Sequence, residues 1–244
     1  MQLSNEEEEY NLSLSKFESM LKTNKVLFFD SEEFEEIILH YIDSGKTSLA
    51  KKALKLALEQ HPKSTGLKLV QVEMLVYEDQ LDLADKMLNE LYAIEPNNEE
   101  IYIQKANICS KRDQHEKAVE LLKIALQYTD DFADVYNLIG MEYLFMDNLE
   151  MAKDSFIKCL EEDLEDQSAL YNVVYCFEFL DQNKEAIAYL NQYIEKNPYS
   201  EIAWHQVGRL HYGLKEYEEA LRAFSYATLI DDEFMGAFME KPKP

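Results

Sequence analysis

Six alanines stand 34 residues apart along the chain: Ala50, Ala84, Ala118, Ala152, Ala186 and Ala220. At an alanine frequency of about 10%, chance fills six such positions about once in a million for any one choice of phase. A period of this length marks a chain that stacks one supersecondary unit many times. Other columns keep the same step. Four residues after each alanine come Leu54, Leu88, Leu122, Phe156, Leu190 and Phe224. Sixteen before it come Phe34, Lys68, Tyr102, Tyr136, Leu170 and Trp204. Nine before it come Tyr41, Leu75, Cys109, Tyr143, Phe177 and His211.

The columns fit pairs of helices. Counting each unit from residue 31, positions 4, 7, 8 and 11 share one face of a first helix, A. Positions 20, 24 and 27 share one face of a second helix, B. Alanine at position 20 lets B approach A, and the small residues Ala106, Gly140 and Gly208 at position 8 serve the same contact. Ile38, Val72 and Val174 are larger there and are expected to open their pairs slightly. Short polar links such as Asp43-Ser44-Gly45-Lys46 and Asp181-Gln182-Asn183-Lys184 join A to B. Only 6 Gly and 5 Pro in 244 residues disfavour a turn-rich β fold, and 47% hydrophobic residues can build a core.

This pattern resembles the tetratricopeptide-repeat (TPR) family. Its unit carries a large residue at position 4, small at 8, aromatic at 11, Ala at 20, bulky at 24, Ala at 27 and often Pro at 32. The stretch from Glu201 matches through Trp204, Gly208, Ala220, Phe224 and Ala227, with His211 in place of the aromatic. Pro62, Pro96 and Pro198 fill position 32. The resemblance implies an all-α, right-handed α-α superhelical solenoid with repeats at 31–64, 65–98, 99–132, 133–166, 167–200 and 201–234. It also implies a non-enzymatic protein-interaction scaffold. The alternatives are a self-associating structural spacer and the targeting module of a longer protein.

Residues 1–30 are expected to form a capping helix and linker. Ser4-Asn5-Glu6-Glu7 reads as a capping box, and Tyr10, Leu14, Phe17 and Leu21 follow at helical spacing. A partner-binding arm is the competing reading. Val26-Leu27-Phe28-Phe29 is expected to be buried beneath that helix. At the other end, residues 235–244 begin an incomplete seventh repeat, with Phe238 at position 4 and Pro242 where the small residue belongs. Either the array continues beyond this chain, or its last repeat presents an apolar face to a partner or second copy.

No catalytic apparatus is legible. The chain has neither GxGxxG nor GxxxxGK[ST], and no HExxH. His205 and His211 point to different faces of one helix, so no shared metal is expected, and no cofactor. Cys109, Cys159 and Cys176 form no CxxC pair and read as inert thiols of a reducing, cytoplasmic compartment. With 48 acidic against 24 basic side chains, nucleic acid and anionic lipid are disfavoured partners. No membrane insertion is expected, since no run of about 18 apolar residues occurs. The residue usage suggests a bacterial gene.

The family resemblance supplies a map of the concave groove, lined by positions 2, 5, 6, 9, 12 and 13 of the A helices. The first unit offers the acidic set Glu32, Glu35, Glu36, Leu39 and Asp43, and the third Ile103, Gln104, Asn107 and Lys111. The fourth offers Asn137, Leu138, Met141, Leu144 and Phe145, and the fifth Tyr171, Asn172, Tyr175 and Phe179. The sixth offers His205, Gln206, Arg209 and Tyr212. Rings supply contact area and amides can bond a peptide backbone. Asn137 and Asn172 are the expected backbone binders, Tyr171, Tyr175 and Tyr212 the anchors, and Arg209 the group for a carboxylate. The competing reading packs these rings on neighbouring helices. A chaperone-tail clamp is disfavoured: position 5 holds Glu35, Leu69, Ile103, Asn137, Tyr171 and His205, never the clamp lysine. The partner is expected to be a protein or peptide, with self-association through the repeat ends as a further option.

Overall fold

The computed structural model describes residues 5–23 and 26–231, all in helices and short links. Ser4 of the expected capping box, the side chain of Tyr10, and the Met235–Lys241 segment with Phe238 and Pro242 lie outside the description. The chain divides into two compact units, residues 1–111 and 112–244.

Unit 1 holds α1 (Asn5–Thr23), α2 (Ser31–Asp43), α3 (Thr47–Gln60), α4 (Thr65–Tyr77), α5 (Leu81–Tyr92) and α6 (Glu99–Lys111). Phe17 of α1 is fully buried, with its ring 5.9 Å from Phe29 and 6.3 Å from Phe34. That cluster continues through Ile37, Ile38, Tyr41, Ala50, Ala53 and Ala57. A second cluster joins Val72, Ala84, Leu88, Ile101 and Ile108.

The run before α2 departs from expectation. Phe29 is buried, but Val26 and Phe28 are 77% and 70% exposed and Leu27 is also exposed. Hydrogen bonds hold the extended backbone at the surface instead. Gln60 accepts from Phe29 N–H at 3.2 Å and donates to Leu27 carbonyl at 2.8 Å, and His61 Nε2 lies 2.7 Å from Phe29 carbonyl.

Unit 2 holds α7 (His115–Ala125), α8 (Phe132–Phe145), α9 (Leu149–Glu162), α10 (Gln167–Phe179), α11 (Asn183–Lys196), α12 (Glu201–Gly213) and α13 (Tyr217–Ile230). Side chains cap several A helices: Asp131, Asp166 and Ser200 each accept the backbone N–H three residues on. After every A helix one residue turns left-handed: Gly45, Asp79, Asp113, Asp147, Asp181 and Lys215, again 34 apart. Glycine and aspartate tolerate that conformation best, so Lys215 is the strained member. The backbones of α8–α9 and α12–α13 approach more closely than those of α2–α3, α4–α5 and α10–α11. Gly140 and Gly208 belong to the tight pairs, and Ile38, Val72 and Val174 to the open ones.

Candidate functional site: the A-helix face of the second unit

α8, α10 and α12 carry all eleven residues expected to bind a partner. Phe145 and Phe179 are 59% and 65% exposed, and Tyr171, Tyr175 and Tyr212 are exposed too. Tyr175 and Phe179, four apart on α10, bring their rings within 4.3 Å. Phe145 stacks on His115 at 5.2 Å, and Tyr212 meets Tyr217 edge-on at 5.6 Å. Phe145, Tyr175, Phe179 and Tyr212 are therefore braced and still open to solvent, which lowers the entropy lost when they meet a ligand. Met141 and Leu138 are half-buried.

Polar residues tie the helices together. Asn137 donates to Asp166 Oδ2 at 2.9 Å and to Ser168 Oγ at 3.2 Å, so its amide nitrogen is committed to the cap of α10. Asn172 Nδ2 lies 3.9 Å from Met141 Sδ, a weak contact that leaves the amide adaptable. Arg209 donates to Gln206 Oε1 at 2.7 Å and lies 3.5 Å from Glu178 of α10. It is the single lysine or arginine on these three helices. Burial pushes the Tyr171 hydroxyl above its ordinary pKa, the Glu201 carboxylate pushes it further, and Arg209 opposes both.

His205 and Gln206 are placed otherwise than expected. Gln206 is 1% exposed and His205 8% exposed, with the His205 ring 5.5 Å from Phe224. His205 thus packs against α13, whereas the buried Gln206 bonds Arg209 on its own helix. Gln206 acts on the face indirectly, by holding Arg209. His211 is half-buried and bonds Glu216 at 2.6 Å across the α12–α13 link.

Sequence reading missed three polar features beside this face. Glu142 is 7% exposed and bonds His115 Nδ1 at 2.8 Å. Lys153, 8% exposed, bonds Glu150 and Gln182 and sits 5.0 Å from the Phe177 ring centre. Asp166 collects four bonds, from Ala169 N–H, Ser168, Asn137 and Cys159. Burial raises the Asp166 pKa, but those bonds outweigh it and hold the carboxyl below its ordinary value. A charged residue at a helix position that faces the core was the available signal for Glu142 and Lys153, and an aspartate just before a helix was the signal for Asp166.

Burial, with the Asp166 bond second, pushes the Cys159 thiol up to about 12, and burial pushes Cys176 up to about 11. Neither is a thiolate nucleophile at neutral pH. Among the described residues no group of three or more His, Cys, Asp or Glu could hold a metal, and no helix is long and apolar enough to cross a membrane.

Comparison with known proteins agrees with the repeat geometry. A curated relative, anaphase-promoting complex subunit 3 of Schizosaccharomyces pombe, is 24% identical over 157 residues, 64% of this chain and 24% of its own length. The chain thus spans about a quarter of that relative. The C-terminal part of a TPR repeat-containing protein from Cytophaga hutchinsonii superposes with a TM-score of 0.59 at 15% identity, over 98% of this chain and 96% of that one. YrrB, a TPR protein with an unusual peptide-binding site, gives a TM-score of 0.50 at 17% identity, over 78% and 97%. These two structures share the fold. Family models of the tetratricopeptide repeat match residues 75–141, 133–166 and 168–200, which is every residue from 75 to 200 but one and just over half the chain. With its recurring helix pairs and left-handed links, the chain belongs to the tetratricopeptide-repeat family, an all-α solenoid fold of protein-interaction scaffolds.

Proposed function

We propose that the protein is a non-enzymatic scaffold that binds a peptide or protein segment along the A-helix groove of its second unit. The observation that carries this reading is the row of exposed rings on α8, α10 and α12, with Arg209 the one lysine or arginine those helices carry. Large rigid rings give contact area at low entropic loss, and arginine accepts a carboxylate in a fixed geometry. Phe145, Tyr171, Tyr175, Phe179 and Tyr212 contact the ligand, Asn172 and Met141 adapt to it, and Asn137, His205 and Gln206 hold the surface in shape. YrrB's peptide-binding site and the complex-forming relative from Schizosaccharomyces pombe fit a binding role. The buried, inert thiols fit a cytoplasmic setting.

A photo-crosslinking residue placed at Phe179, with a control at the 79% exposed Tyr199 in the α11–α12 link, tests this directly. Cross-links to one protein from position 179 and none to it from 199 are expected. Equal labelling from both positions contradicts the reading.

A second reading has its own observation. Along α13, Leu221 is 45% and Leu229 81% exposed, an apolar stripe suited to self-association. Sedimentation of the full chain should then show a mass that rises with concentration and falls to the monomer in Leu221→Glu/Leu229→Glu.

A further inference from the structure

The chain is strongly acidic overall, and one stretch reverses that balance most clearly. Between residues 44 and 72 there are six lysines, Lys46, Lys51, Lys52, Lys55, Lys63 and Lys68, against one acid, Glu59. The stretch thus holds a quarter of the 24 basic residues and one of the 48 acidic ones, the reverse of the overall balance. Three of the six lysines lie on α3, whose apolar residues Ala50, Ala53, Leu54 and Ala57 face the core and whose lysines face out.

Two of these lysines, Lys51 and Lys55, border a depression, and Lys52 lies beside them on α3. Lys51, Leu54, Lys55, Leu58 and Glu59 of α3 and Gln71 of α4 enclose an open groove of about 380 Å³. Its α3 residues recur at the three- and four-residue steps of one helix face, so the groove runs along the helix. Leu54 and the half-buried Leu58 form the floor. Lys51 pairs with Glu78 and Lys46 lies over the Tyr41 ring. Lys52, Lys55 and Lys63 are exposed and have no ion-pair partner among the described residues.

We infer that this groove is a second docking site, separate from the aromatic face, and that it takes an acidic peptide segment carrying bulky apolar side chains. Charge complementarity sets the sign: the lysine rim attracts carboxylates, and the leucine floor takes the apolar side chain between them. The rest of the chain sets the size. Outside residues 44–72 it carries 47 of the 48 acidic side chains against 18 of the 24 basic ones. A nucleic acid or a membrane would extend beyond the basic strip and meet that negative field. A short peptide stays within the basic strip.

The test uses the full chain and a fluorescein-labelled peptide of glutamates with a leucine at every fourth position. Anisotropy is compared with a leucine-free polyglutamate of equal length, a DNA duplex and phosphatidylserine vesicles. The leucine-bearing peptide should bind best. Its affinity should fall about tenfold or more in Lys52→Glu/Lys55→Glu and fall with added salt. Both lysines are exposed, so circular dichroism of that variant should match the parent. A Tyr171→Ala/Tyr175→Ala variant should bind the peptide unchanged, which separates this site from the aromatic face. Absent binding, binding unaffected by the double reversal, equal binding of polyglutamate, or tighter binding of DNA or vesicles would each overturn the inference.

Discussion

Gly140 of α8 lies against the ring of Phe156 of α9 so closely that a β-carbon at Gly140 would stand 2.6 Å from the ring edge. Gly208 and Phe224 repeat the relationship two repeats later, at 2.5 Å. Where position 24 is phenylalanine, position 8 is glycine; where it is leucine, position 8 is Ile38, Val72, Ala106 or Val174. The helix pair thus conserves volume across its contact, and the ring takes the space that a side chain would fill. Gly140→Ala should lower stability by about 1–3 kcal/mol through overpacking. Adding Phe156→Leu should recover part of that loss, whereas Phe156→Leu alone should destabilise by leaving a void. Urea unfolding of the three variants checks the cycle.

Asp166 stabilises the start of α10 as a carboxylate. Burial works against it, but its four hydrogen bonds prevail and its folded pKa lies below the ordinary value. A depressed carboxylate pKa adds stability above the unfolded pKa of about 3.9, and that stability fades as pH falls through the lower folded value. Asp166→Ala should therefore cost about 1–2 kcal/mol near neutral pH. The difference should shrink in acid, as thermal melts at pH 7 and pH 3 would show.

Glu73 of α4 has the opposite sign. Burial first, then the Glu100 and Asp43 charges, raises its pKa. A raised carboxylate favours folding below the unfolded pKa and loses that advantage as pH rises through the folded one. Glu73→Gln should stabilise the protein at neutral pH by less than about 1 kcal/mol, solvent screening keeping the effect small. In acid the gain should vanish, and matched melting curves across pH 3 to 8 measure it.

Lys215 occupies the left-handed link with φ 65°, where the first repeat has Gly45. The β-carbon disfavours this conformation by about 1–2 kcal/mol, partly offset by the entropy glycine loses on folding. Lys215→Gly should raise stability by up to about 1 kcal/mol, read from the denaturation midpoint. The same change at Leu214, in the right-handed region, should lower it.

Much of the fold was legible because the 34-residue columns record contacts inside each helix pair, and those contacts are local. Ala152, Phe156 and Gly140 could be read together since they meet within one unit. The candidate face was legible only as a set of positions. Tyr171, Tyr175 and Phe179 came out exposed, but His205 and Gln206 did not. Helical periodicity places a side chain within a broad sector, and the packing of neighbouring elements, as of Phe224 on His205, decides what is covered. Asn137 reads as a free amide until the cap of α10, 29 residues away, is placed beside it. Val26 and Phe28 misled because hydrogen bonds between Gln60 and the backbone of Leu27 and Phe29 hold this run at the surface. The basic strip of α3 was masked by the chain's formal charge of −24.

The central claim is that α10 and its neighbours present a binding face. The most direct measurement is affinity capture from native cell extract with the wild-type chain and with Tyr171→Ala/Tyr175→Ala/Phe179→Ala. All three rings are exposed, so the variant should keep its helical content. Arg209 is left in place because its removal would strand the buried Gln206 oxygen that it now satisfies. The account predicts a protein retained by the wild type and lost by the variant. Identical capture by both would contradict it and move the function away from this face.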